Sequence, residues 1–128
     1  MIKSYRFVII WALFVLFLCG INGSSLPQFE IDFILGIDKF AHMILFGIQA
    51  WLLVLAYRHQ NKYPMLRFAF QAAIFSTIYG AFIEVLQATI FINRSFDYAD
   101  MLANASGAFL CIPLSIIFFK RNKKLSKN

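Results

Sequence analysis

FAFQAAIFSTIYGAFIEVLQATIFI, residues 68–92, holds a single formal charge, Glu84, in 25 positions. As a helix the stretch would be roughly 37 Å long, more than the ~30 Å hydrocarbon core of a bilayer. It reads as a membrane span that tilts or projects at one end. Three further apolar runs flank it, at residues 7–21, 40–57 and 98–119. They correspond to roughly 22, 27 and 33 Å of helix. The first is short, and Ile2 and Tyr5 before it can extend it. The last contains Pro113, a kink point.

The whole composition agrees. The chain has 128 residues, a hydrophobic fraction of 61% and a mean hydropathy of +0.72. A soluble domain this small keeps too much of its surface in water to hide so many apolar side chains. The expected fold is all-α: a polytopic membrane protein with a bundle of four transmembrane helices, forming one domain over residues 1–128. There is no internal repeat and no low-complexity segment. Cys19 and Cys111 both lie inside apolar runs, so neither a paired-Cys metal motif nor a disulfide framework is visible. The first run also fits a cleaved signal peptide, with a basic start and small residues at Gly20, Gly23 and Ser24. That reading leaves three spans in the same orientation. Leu18 before Cys19 is too bulky for a lipoprotein signal.

The net charge is +6, but the basic residues lie between apolar runs and on no soluble face. That excludes nucleic acid as the partner. Lys3 and Arg6 precede the first run, and Arg58, Lys62 and Arg67 separate the second and third. Lys120, Arg121, Lys123, Lys124 and Lys127 follow the fourth. Those ten fall on one side, and only Lys39 and Arg94 on the other. The positive-inside rule then places both termini in the cytoplasm, as expected of an inner-membrane protein. The six acids, Glu30, Asp32, Asp38, Glu84, Asp97 and Asp100, map to the outer loops or outer ends of spans.

Polar groups inside spans are costly, so their placement is informative. Asp38 and His42 share a helix face at four-residue spacing, with Lys39 beside them. Glu84 and Gln87 share another face. Arg94, Asp97 and Asp100 follow, and Asp100, Asn104 and Gly107 continue at helical spacing. Three spans thus bring polar residues to the outer half of the membrane, while the cytoplasmic half is almost purely apolar. The expected result is a polar pocket between spans two, three and four, open to the extracytoplasmic side. Gly47, Gly80 and Gly107 would let the helices approach closely.

Each residue also has a plainer use. Asp97 or Ser95 can cap the fourth helix, and Asp38 the second. Lys39 can snorkel to the interface. His42 and Gln49 can serve as interhelical hydrogen-bonding groups. A buried Glu84 must be neutral or paired, with Arg94, Lys39 or His42 the available partners, and a Glu84–Arg94 pair would hold the outer loop down. Asn22-Gly23-Ser24 and Asn93-Arg94-Ser95 fit a glycosylation pattern that is common by chance.

Asp38-Lys39-Phe40-Ala41-His42 with Phe46 resembles the Asp-Lys-x-x-His element of the VanZ-like family of bacterial membrane proteins. Glu84-x-x-Gln87, then Arg94, Asp97, Asp100, Asn104 and Gly107, resemble that family's second series of polar residues. The match runs from about Asp38 to Cys111, and the order and spacing of the blocks carry it. Cys111 departs from the pattern, standing where the family often has a second small Gly, which leaves open how closely the helices pack there. The resemblance implies a connection with the cell envelope and with resistance to glycopeptides such as teicoplanin. It supplies no reaction.

Three functions follow from these residues. The first is a non-enzymatic pocket for a membrane lipid, a lipid-linked cell-wall precursor or a partner protein. Arg94 and Lys39 would meet an anionic group, and Gln87 and Asn104 would supply neutral hydrogen bonds. The second is a membrane-embedded enzyme on an outer-leaflet lipid or precursor. There His42 with Glu84 or Asp100 serves as acid and base, or Asp38, His42, Glu84 and Asp100 hold a divalent metal. The third is a transporter or proton relay through Glu84 and His42, which lacks a polar path through the inner half. The sequence assigns no catalytic residue and no metal ligand, and no resident cofactor is expected. So small a bundle is compatible with a homodimer.

Overall fold

A computed structural model describes residues 2–21, 31–58, 65–91 and 96–125. It contains four helices: α1 (Ile2–Cys19), α2 (Ile31–Arg58), α3 (Met65–Thr89) and α4 (Tyr98–Leu125). Three have stretches long and apolar enough to cross a membrane: Gly36–Arg58, Met65–Thr89 and Tyr98–Arg121. The apolar part of α1, Ser4–Cys19, is shorter.

The expected runs and the observed helices differ at their ends, for local reasons. Helix α1 stops two residues before the apolar run does. There the Gly20 N–H bonds the Leu16 and Phe17 carbonyls at 3.0 and 3.2 Å, closing the last turn. Helix α2 begins nine residues before the run at Phe40, because a helix need not end where hydropathy does. Helix α3 ends at Thr89, where the Ile90 and Phe91 N–H groups both turn back to the Leu86 carbonyl. Helix α4 begins at Tyr98, as the run predicts, and carries through Pro113. Asp97 is its N-cap: Oδ1 accepts the Ala99 N–H at 2.7 Å, and the Asp97 carbonyl accepts the Met101 N–H.

Helices α2, α3 and α4 pack against one another, and α1 lies along α2 with a lighter contact to α3. Phe7, Ile10, Phe17, Phe82, Leu102 and Ile117 are among many large apolar side chains left on the outer surface. In a bilayer, that surface faces lipid tails that are as apolar as leucine. The interior has two apolar clusters. One joins Ala50, Val54, Ala69, Ala72, Ala73, Ala108 and Cys111, and the other joins Val15, Cys19, Phe46 and Ile83.

Small residues set the helix spacing. A Cβ added at Gly107 would collide with the Met43 backbone, and one at Gly47 would come within 3.2 Å of the Gly107 carbonyl. Helices α2 and α4 therefore touch backbone to backbone, as the glycines predict. Cys111 does not loosen this contact; it is 2% exposed and packs among the alanines.

Helix α1 is fastened by three side-chain bonds to carbonyls. Trp11 Nε1 donates to Leu45 at 3.0 Å, Tyr79 Oη to Ala12 at 2.6 Å, and Gln87 Nε2 to Cys19 at 3.1 Å. The edge contact of Tyr5 with Tyr57 and the Arg58 guanidinium over the Phe119 ring bring the start of α1 and the ends of α2 and α4 together. The basic residues Arg6, Arg58, Lys120 and Arg121 thus share one end of the bundle. Asp38, Lys39, Glu84, Asp97 and Asp100 lie at the other.

Candidate functional site

The start of α2, the end of α3 and the start of α4 meet at the acidic end. A four-residue step on α2 puts His42 Nε2 3.9 Å from Asp38 Oδ1. His42 is 4% exposed and stacks on Phe46 one turn further along. Its Nδ1 lies 2.9 Å from Asn104 Oδ1 on α4 and 3.9 Å from Glu84 Oε1 on α3. Three helices therefore converge on one imidazole.

Asn104 has room because α3 carries a glycine opposite it: a Cβ at Gly80 would come within 3.0 Å of the Asn104 side chain. An amide oxygen can only accept, so His42 Nδ1 is the donor in this bond. Its other ring nitrogen is left facing Asp38.

Glu84 is 0% exposed. Its Oε2 accepts the Asp97 backbone N–H at 3.3 Å, and its Oε1 has no hydrogen-bond partner among the described residues. Asn104 Nδ2 and Gln49 Oε1 share that condition. Buried polar atoms are nearly always satisfied, so Glu84 Oε1 and Asn104 Nδ2, unpartnered among the described residues, single out this cluster.

Lys39 closes the site on the side of α4. Its Nζ donates to Asp97 Oδ2 at 2.9 Å and to Asp100 Oδ1 at 3.2 Å. The Lys39 ammonium, with the Ala99 N–H, holds the Asp97 carboxyl below the usual carboxylate range. Lys39 is thus engaged by two carboxylates. Among the described residues, four carboxylates (Asp38, Glu84, Asp97 and Asp100) face one ammonium. The described part of the site therefore carries more carboxylates than cations.

The candidate residues divide accordingly. Asp38, Lys39, His42, Glu84, Asp97, Asp100 and Asn104 come together. Gln87, although 3% exposed, turns to the Cys19 carbonyl and ties α1 to α3. Arg94, and with it the expected Glu84–Arg94 pair, lies outside the described residues, as does Ser95. The sequence reading missed the tethers from Trp11 and Tyr79. Their amphipathic rings, which seek a polar partner when buried, were the available signal.

Helices of this length and apolarity around a buried polar cluster define a multi-pass membrane protein. The family model described as VanZ/LLP1 matches residues 3–119. The chain belongs to the VanZ/LLP1 family, which covers α1 as well as the two polar blocks. No curated protein and no solved structure matches it.

Proposed function

We propose that this protein is a four-span inner-membrane protein with both termini in the cytoplasm. Its outer polar pocket takes the headgroup of an envelope lipid or a lipid-linked cell-wall precursor. The observation that carries this is the convergence of His42, Glu84 and Asn104 from three helices at a single buried point. Hydrocarbon makes an unemployed carboxylate expensive, by several kcal/mol on most accounts. The basic residues gathered at the opposite end support the orientation. The bonds from Trp11, Tyr79 and Gln87 support α1 as a fourth span. The described part of the pocket carries more carboxylates than cations, which suits a headgroup rich in N–H or O–H donors. Occupying such a headgroup would also account for a part in resistance to teicoplanin-type glycopeptides.

The test is lipid selection. The full chain is reconstituted in nanodiscs of mixed bacterial lipid, and the retained lipids are identified by mass spectrometry. One lipid class should be enriched at least tenfold over bulk, and Asp38→Asn or Glu84→Gln should abolish the enrichment. Retained lipid that mirrors the bulk mixture would sink the reading. Teicoplanin susceptibility of cells with and without the chain tests the physiological step separately.

A further inference from the structure

We propose that Asp38, His42 and Asp100 bind one divalent cation of the zinc or manganese class. Their ligating atoms all lie within 4.8 Å of one another. The His42 Nε2 to Asp38 Oδ1 distance, 3.9 Å, is too long for a hydrogen bond. It suits two atoms on a common ion, because ligands about 2.0–2.2 Å from a metal stand roughly 3–4 Å apart. One imidazole and two carboxylates form a donor set that zinc, manganese and iron accept.

A second, independent arrangement points the same way. A metal-bound histidine characteristically donates its other ring N–H to a fixed acceptor, which sets the tautomer and aims the lone pair. Here Asn104 Oδ1 accepts from His42 Nδ1 at 2.9 Å and leaves Nε2 to face Asp38. Behind the ring stands Glu84, 0% exposed, with Oε1 unpartnered among the described residues and 3.9 Å from His42 Nδ1. Lys39 fixes one oxygen of Asp100 and does not take the other, since a carboxylate offers two. Among the described residues, an added dication would offset the excess of Asp38, Asp97 and Asp100 over the Lys39 ammonium.

Three protein ligands leave open coordination positions, the pattern of working rather than structural zinc sites. A headgroup oxygen could fill one of them. Only that last contact rests on the proposed lipid-binding function; the ion site stands on its own geometry.

The test uses the untagged full chain in nanodiscs, dialysed against Zn²⁺ or Mn²⁺ alone and read by elemental analysis. One ion per chain is expected. Asp38→Asn and His42→Gln should each weaken binding at least tenfold with helix content unchanged. Asn104→Ala should weaken it roughly tenfold or more through the ring's orientation, and Asn104→Asp should strengthen it. Zinc-edge absorption of the unaltered chain should show a single imidazole among oxygen ligands, and this holds even if a variant fails to fold. Fewer than about 0.1 ion per chain, an edge spectrum without imidazole, or affinity unchanged in both ligand variants overturns the proposal. Lipid selection that persists with no ion bound sinks the ion site and leaves the pocket reading intact. An ion bound without lipid selection does the reverse.

Discussion

At the basic end of the bundle, Ala50, Ala69, Ala72, Ala73 and Ala108 pack around Val54 and Cys111, and Arg58 lays its guanidinium 3.8 Å over the Phe119 ring. At the other end the same three helices enclose His42, Glu84 and Asn104, with Lys39 bridging two aspartates. The basic end keeps its charges at the rim and fills its interior with small apolar groups. The acidic end takes polar and ionisable groups inside and leaves Glu84 Oε1 and Asn104 Nδ2 without a hydrogen-bond partner among the described residues. Packing needs volume to match and is indifferent to charge. A site needs charge and donors placed, and it tolerates incomplete bonding that a purely structural core would not. On the proposed reading, stability rests chiefly on one end and binding on the other.

Five substitutions test that division, ordered by their expected effect on stability. Gly107→Leu, between the two ends, drives a side chain into the Met43 backbone. It should cost about 3 kcal/mol or more, seen as lost folded protein in detergent. Asn104→Leu removes the His42 bond and overfills the space against Gly80, for about 2–3 kcal/mol in chemical unfolding. Ala72→Leu overpacks the basic-end core by about 2 kcal/mol. It should leave lipid selection unchanged; altered selection would break the division of labour. Tyr79→Phe cuts the tether to the Ala12 carbonyl and should cost about 1 kcal/mol, read as faster proteolysis of α1. Glu84→Gln keeps the shape and the bond from the Asp97 N–H, so its unfolding midpoint should move by less than about 1 kcal/mol. Its binding activity should nonetheless disappear. A Glu84→Gln protein that binds normally would show that the acidic end is scaffolding too.

Hydropathy and helical spacing by themselves determined that the chain is all-α and membrane-spanning, and that Asp38 stands beside His42. Both follow from local rules: a bilayer's thickness sets run length, and a four-residue step returns to the same face. The glycines also announced close helix contact. Helix rotation and pairing decided the rest. Lys39 reaches two aspartates about sixty residues away, Gln87 bonds the end of α1, and Asn104 meets His42 across the helix interface. Spacing along one helix says which residues share a face, but not which neighbour that face will meet. That choice depends on the fit of all four helices at once, through contacts such as Gly47 on Gly107 and Gly80 on Asn104.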